Sequence, residues 1–313
     1  MKSFTSLENL LTAFPTDSDC RAYLANIRWT GKAVCPHCKD KEKKVYSYKN
    51  NRLYKCSGCK KQFSATVGTV FESSHVSLKK WFVAIYLFSS HKKGISSHQL
   101  GKDIKVRQAT AWFMLHRIRH AMNNDRSFKG MLNTIVEVDE TFIGGKAKNK
   151  HKNKRHKGTQ GRSTLDKAPV LGMVQRNGNV ITFPIKRLHA DAMKILIKLK
   201  VDPSAIVMTD SYRAYNGLSE RFNHKVINHS AGQYVNGDIH TNTIEGFWSQ
   251  LKRGLDGIYH WVSRKHLFRY CDEFEYRYNT RKISEVERFN RVLTHSFNTR
   301  LLFVDLIKRK TKR

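Results

Sequence analysis

Acidic residues are scarce in this chain: 25 Asp and Glu stand against 58 Lys and Arg over 313 residues, a formal charge of +33. Solubility needs a net charge of only about 2 to 8. An excess this large points to a polyanionic partner, nucleic acid first, with a merely solvated basic surface as the alternative. A membrane surface would also attract cations, but the chain lacks a long basic amphipathic helix with a clean apolar face. Long hydrophobic runs are missing too. The longest, WFVAIYLF at 81–88, is far below the roughly 20 residues of a membrane span, and the opening MKSFTSLENLLTAF has no apolar stretch of signal-peptide length. The expectation is a cytoplasmic protein. Cysteines number only six, and in a reducing compartment they are ligands or core residues before they are disulfides. The apolar fraction of 40% is that of a globular chain, with length for about two or three domains.

Four of the six cysteines form a pattern. CPHC supplies Cys35 and Cys38, CSGC supplies Cys56 and Cys59, and 17 residues separate the pairs. Two tight knuckles at that spacing read as a zinc ribbon over 31–72, with a short hairpin around KNN between them. Four thiolates close the coordination shell, so the expected Zn²⁺ is single and structural. Disulfides or a redox dithiol are the alternative. Cys20 and Cys271 have no partner at ligand spacing and read as buried apolar residues.

Helical patterns flank the ribbon. Residues 1–30 read as an N-terminal helical segment. Over 76–125, SLKKWFVAIYLFSSHKKG, SSHQLGKDI and RQATAWFMLHRIRHAM read as three helices with a short second one, resembling a helix-turn-helix that presents Arg107, Gln108 and Thr110 to a major groove. The alternative is a helical linker with solvated charges. His116 and Arg119 form an HxxR pair of the kind seen in tyrosine recombinases; with no tyrosine singled out as nucleophile, both are expected on the basic outer face of the helix.

From 130 the pattern changes to strands. TIVEVDETFIGG reads as one strand and APVLGMVQRNGNVITFPIK as two around Asn177-Gly178. Pro184 places the third strand at a sheet edge, because proline cannot donate to a ladder. A helix from near Asp191, the strand AIVMTD, a fifth strand HKVIN and the helix beginning HTNTIEGFW complete a ribonuclease H-like α/β domain over 130–262 with a mixed five-stranded sheet. The fold class is thus multidomain α+β. Within 146–167, KAKNKHKNKRHKGTQGR carries eight Lys/Arg and no acid or large apolar residue; it reads as a mobile loop, solvated or settling on a phosphate backbone. Residues 263–313 read as a C-terminal helical extension whose rings are core.

Three acids stand out in so basic a chain: Asp139 on the first strand, Asp210 ending the fourth, and Glu245 on the last helix. Adjacent strands and a crossing helix bring them to one point. Crowded carboxylates repel, and two Mg²⁺ (or Mn²⁺) ions about 4 Å apart would resolve that repulsion and activate an in-line phosphoryl displacement. By strand alternation Glu137 shares the face of Asp139 and supports it, while Glu140 points away.

VEVDETFIGGK, VMTDSYRAY and HTNTIEGFWSQLKRG resemble the three active-site blocks of DDE-type insertion-sequence transposases, specifically the ISXO-like group with a zinc ribbon ahead of the catalytic domain. FPTDSDCRAYLANIRW, VCPHC, YKCSGCKKQFSATVGTVFE and KKWFVAIYLF resemble that group's N-terminal half, so the likeness covers nearly the whole chain. It implies that Asp139 and Asp210 hold both magnesium ions and Glu245 is the third acid, with Asn242 as the rival third ligand. Lys252, seven residues after Glu245, with Arg253 beside it, is implied to contact the DNA end. The implied activity is binding of terminal inverted repeats, followed by strand cleavage and transfer into target DNA by a homodimer or larger assembly at the nucleoid. The alternatives are a DNA-binding regulator or domesticated relative without catalysis, and a general nuclease of the same fold.

Overall fold

The computed structural model describes residues 4–48, 52–125, 130–145, 151–154, 163–228, 235 and 237–308. Two compact units emerge: Met1–Asp125 together with Lys282–Arg313, and Arg126–Arg281. The stretch 263–313, expected as one extension, is therefore divided between them.

In the first unit, α1 (Leu7–Ala13) and α2 (Asp17–Trp29) start on side-chain caps, Ser6 for α1 and a reciprocal Thr16–Asp19 capping box for α2. The ribbon follows, with β1 (Val45–Tyr48), β2 (Leu53–Cys56) and β3 (Gln62–Phe63) in one antiparallel sheet of order β1-β2-β3. The KNN turn expected between β1 and β2 lies outside the described residues. Trp29 packs edge-on against Tyr54 and Phe63, giving the ribbon its small core.

Then come α3 (Leu78–Ser90), α4 (Ser97–Asp103) and α5 (Gln108–Asn123), the first two capped by Ser77 and Ser96. The three helices lie where the sequence pattern put them, with Arg107 and Gln108 exposed at the start of α5.

His116 and Arg119 are not on an outer face. Both are buried, Arg119 with its guanidinium 5.3 Å from the Phe88 ring. From far along the sequence, α9 (Glu285–His295), in the 282–313 segment, also packs on α3 and α5. Phe289 of α9 lies among Phe4, Phe14 and Phe82, with ring centroids 5.1 to 6.5 Å away. Arg117 donates to the carbonyls of Val70, Glu72 and Leu301, so that a cation is accommodated in this core. A local reading of α5 sees only its amphipathic surface and not the helix that returns to cover it.

The second unit is built on a sheet of order β6-β5-β4-β7-β8, formed by β4 (Ile135–Ile143), β5 (Ala168–Gln175), β6 (Val180–Pro184), β7 (Ile206–Asp210) and β8 (Asn223–Ile227). β5 runs antiparallel to both of its neighbours, β4 and β6, whereas β7 pairs parallel to both β4 and β8. This is the ribonuclease H-like arrangement, with the Pro184 strand at an edge as its missing donor requires. One face packs on α6 (Ala190–Lys200) through Val136, Val138, Met193 and Ile197. The other packs on α7 (Asn242–Gly254) and α8 (Leu267–Asn279) through Val170, Val174, Phe247 and Phe274. A short α10 (Phe303–Ile307) belongs to the first unit. Among the described residues, no helix is long and apolar enough to cross a membrane. Of the basic stretch 146–162, positions 146–150 and 155–162 lie outside the described residues.

Candidate active site

The pairing of β4 with β7 runs through Ile135, Val136 and Glu137, opposite Ile206, Val207 and Met208, and stops there. Asp139 and Asp210 each stand two residues beyond the last pair, on the same face, where the strands part. Carboxylate oxygens of Asp139, Glu140 and Asp210 lie within 4.8 Å of one another. The first and second expected acids are therefore brought together.

Glu140 was expected to point away. Its root does lie on the Val136/Val138 face, where the Tyr215 hydroxyl donates to Oε2 at 2.7 Å. The ladder has ended by that level, so a side chain as long as glutamate reaches the opening between the strands from the other side. Period-two alternation fixes where a side chain leaves the backbone and not where its carboxylate ends.

Burial and two acidic neighbours set the electrostatics. Desolvation first, then Glu140 and Asp210, push the Asp139 carboxyl up to about 7, against a hydrogen bond from Trp248 Nε1 to Oδ2 at 3.0 Å. Asp210 Oδ1 accepts the Tyr212 backbone N–H at 3.0 Å. Burial, followed by the Glu140 charge, raises the Tyr215 phenol well above its usual value and keeps it a donor. Three hard oxygen donors crowded in a half-buried pocket, one of them driven toward its neutral form, are a donor set that fits a divalent cation such as Mg²⁺.

Glu245 is outside that cluster. It sits in the first turn of α7 with an exposed side chain whose Oε1 accepts from Thr241 Oγ1 at 3.2 Å. Asn242, Lys252 and Arg253 are likewise exposed on α7.

The helix itself is nevertheless fixed to the acid-bearing strand. Glu137, fully buried, accepts the backbone N–H groups of Thr243 and Ile244 at 2.8 and 3.0 Å and the Thr243 hydroxyl at 2.8 Å. The local N-cap residue, Thr241, makes no side-chain cap bond; the cap comes from β4 instead, satisfying donors at the positive end of the helix. Arg176 completes the clamp, with Nε 2.6 Å from Glu137 and donations to the carbonyls of Asp238 and His240.

Sequence reasoning missed Trp248 and Gly172. Gly172 pairs with Asp139 across the β4–β5 ladder, and a Cβ there would lie 2.4 Å from Trp248 Cζ2. The missing side chain is what lets the indole lie on the sheet and reach Asp139. The only sequence signal is the spacing of Trp248 three residues after Glu245; the register of β5 on β4 is hidden by the long insertion between them.

In the ribbon, the four cysteine sulfurs form a second group within 4.8 Å, with Cys35 Sγ 3.5 Å from Cys59 Sγ and Cys38 Sγ 3.7 Å from Cys56 Sγ. These separations fit a single zinc ion held by four thiolates, for which Zn–S bonds of about 2.3 Å would put the sulfurs about 3.8 Å apart, and they are far longer than a disulfide. Backbone N–H groups of Cys59 and Gly58 help lower the Cys56 thiol to about 7, whereas burial pushes the Cys35 thiol up to about 11, so the four sulfurs are unequally disposed to ionise.

The family profile of the ISXO2-like transposase domain matches residues 131–279, and that of the transposase zinc-ribbon domain matches 15–62. An uncharacterized protein in transposable element ISH50 of Halobacterium salinarum is 32% identical over 277 residues, covering 85% of this chain and 92% of the relative. The chain belongs to the ISXO2-like transposase family. An uncharacterized transposase-like protein of Haemophilus influenzae is 31% identical over 105 residues, 33% of this chain and 84% of its own length. Against solved structures, the Mos1 strand transfer complex aligns over 64% of this chain and 73% of that one at 14% identity, with a TM-score of 0.23, too low to carry weight. Membership makes this an insertion-sequence transposase with a zinc ribbon and a DDE-type domain, and the ribonuclease H-like strand order found here is the scaffold of that domain.

Proposed function

We propose that this transposase binds the terminal inverted repeats of its element and carries out metal-dependent strand cleavage and strand transfer. The observation that carries the reading is the meeting of Asp139 and Asp210 at the parting of β4 and β7, in a chain of charge +33. Asp139 and Asp210 hold the divalent ions, Mg²⁺ or Mn²⁺. Glu245 is the third acid, with its helix tied to β4 by Glu137 and Trp248; Glu140 lies beside the two aspartates and is steadied from the opposite face by the Tyr215 hydroxyl on Oε2. When bound, the ions supply charge neutralisation and activation for an in-line phosphoryl displacement.

The remaining roles belong to the chain's own cations and helices. Lys252 and Arg253 bind the phosphates of the DNA end. The ribbon, with its structural Zn²⁺, and the helices bearing Arg107 and Gln108 hold the repeat, and joining two ends calls for a homodimer or larger assembly at the nucleoid. The test is to incubate the protein with Mg²⁺ or Mn²⁺ and a duplex bearing the inverted repeats that flank its gene. Asp139→Asn, Asp210→Asn and Glu245→Gln each abolish nicking at the repeat end, while Glu140→Gln retains it. Equal nicking by wild type and Asp210→Asn overturns the catalytic reading and leaves a DNA-binding regulator; cutting without preference for the repeats indicates a general nuclease.

A further inference from the structure

Beyond α7 the chain makes a π-helical turn, Leu255–Tyr259, and then a sharp reversal. His260 sits at φ 58° and ψ −44°, and the Trp261 N–H donates to the Tyr259 carbonyl at 2.6 Å. This is a γ-turn of the strained hand, which a non-glycine residue adopts only where its surroundings impose it. Here they do so from both sides. Tyr259 packs against Tyr270, with centroids 4.9 Å apart, and its hydroxyl donates at 2.7 Å to Glu273, which Arg277 holds in a buried ion pair. Val262 packs into the core shared by α7 and α8. Arg264 donates to the carbonyls of Thr164, Leu165 and Lys167 at 2.6, 2.7 and 3.1 Å.

Between these inward anchors Trp261 is turned out, 75% exposed, more than any other large apolar side chain among the described residues. An indole in water and a strained backbone both work against folding, so the turn serves something other than the core. Its charge names the partner. From 252 to 269 the chain carries five Lys/Arg, among them Lys252, Arg253, Arg264 and Lys265, against the single acid Asp256. A rigid exposed aromatic face on a segment rich in cations is the chemistry that takes an unpaired nucleobase while its strand is held by the phosphates.

We infer that Trp261 is a stacking platform for an unpaired base of bound DNA. The inference rests on the DNA-binding reading above and adds to it a strand-opened or overhanging nucleotide at the α7–α8 turn. The full-length protein is titrated with a short single strand carrying one 2-aminopurine and, separately, with the same sequence as a blunt duplex. Wild type quenches the 2-aminopurine of the single strand. Trp261→Ala abolishes the quench and weakens single-strand binding roughly 5- to 150-fold, with duplex affinity and salt dependence unchanged; Trp261→Phe keeps most of both signals.

Single-strand affinity and quenching retained by Trp261→Ala would overturn the inference and leave the DNA-binding reading standing. An equal loss of duplex and single-strand binding overturns it as well, since a paired base is out of reach of stacking. Failure of the wild type to bind either DNA overturns the DNA-binding reading and this inference with it.

Discussion

Replacing Gly172 with alanine adds one methyl group at the point where the sheet, the last helix of the acid triad and the first acid meet. That carbon would stand 2.4 and 2.5 Å from Cζ2 and Cη2 of Trp248 and 3.1 Å from Cδ1 of Ile244. Contact distances for carbon are about 3.5 Å, so the indole must withdraw by about 1 Å. Its 3.0 Å hydrogen bond to Asp139 then stretches beyond hydrogen-bonding range. Overpacking a core of this kind costs about 1–3 kcal/mol, and leaving a buried hydrogen-bonding group unsatisfied about 1–3 kcal/mol more, with partial relaxation reducing the sum. Urea unfolding of Gly172→Ala is expected to show a destabilisation of about 2–4 kcal/mol, accompanied by loss of repeat-end nicking.

Trp248→Phe separates the two contributions. It removes the donor without adding volume, so it lowers nicking with a smaller stability change, and in the double variant the two substitutions are less than additive because they act through one contact. Gly172→Ala unfolding at the wild-type urea midpoint with full nicking refutes the reasoning.

Four further outcomes follow from the same geometry. Glu137→Ala removes the cap of α7 and the carboxylate that neutralises Arg176, so it destabilises the catalytic unit by about 3–5 kcal/mol in urea unfolding; a change below about 1 kcal/mol contradicts the clamp. Without divalent ions, stability should fall with rising pH. Asp139 is pushed up to about 7 by burial, Glu140 and Asp210, and Glu275 up to about 8 by burial and then Asp272, so both favour the protonated folded form. Their stabilisation is complete below the ordinary carboxylate range of about 4 and is lost as pH passes about 7 and 8; urea midpoints at pH 5 and pH 9 measure it, Glu275→Gln removes the Glu275 share, and a flat or rising profile refutes it. Added Mn²⁺ should raise the midpoint at pH 9 in wild type and not in Asp210→Asn. Finally, the protein should carry one equivalent of zinc, lost in Cys56→Ser, as read by metal analysis after dialysis; full zinc in that variant contradicts the four-thiolate site.

What was legible in the sequence was what short range encodes. Two CxxC knuckles, the Asn177 turn with its positive φ of 58°, and Pro184 at a strand end each constrain their own neighbourhood, and each appears in the structure as read. The parallel pairing of β4 with β7 followed from the order of elements, and with it the meeting of Asp139 and Asp210. Other features depend on contacts between distant segments. The packing of α9 on α3 and α5, the unit in which His116 and Arg119 are buried, joins segments more than 150 residues apart. The Gly172–Trp248–Asp139 contact needs a register set across the insertion between β4 and β5. The place of Glu140 depends on where a ladder stops, which no periodicity reports.

The unit that carries the zinc ribbon is closed by both ends of the chain, with Phe289 completing a cluster begun by Phe4 and Phe14. During synthesis its first 125 residues leave the ribosome with their centre open, and they stay open until the whole catalytic unit has been translated. Prematurely terminated products therefore lack a finished ribbon-bearing half, and a gene fragment ending before α9 is no shortcut to an independently folded module.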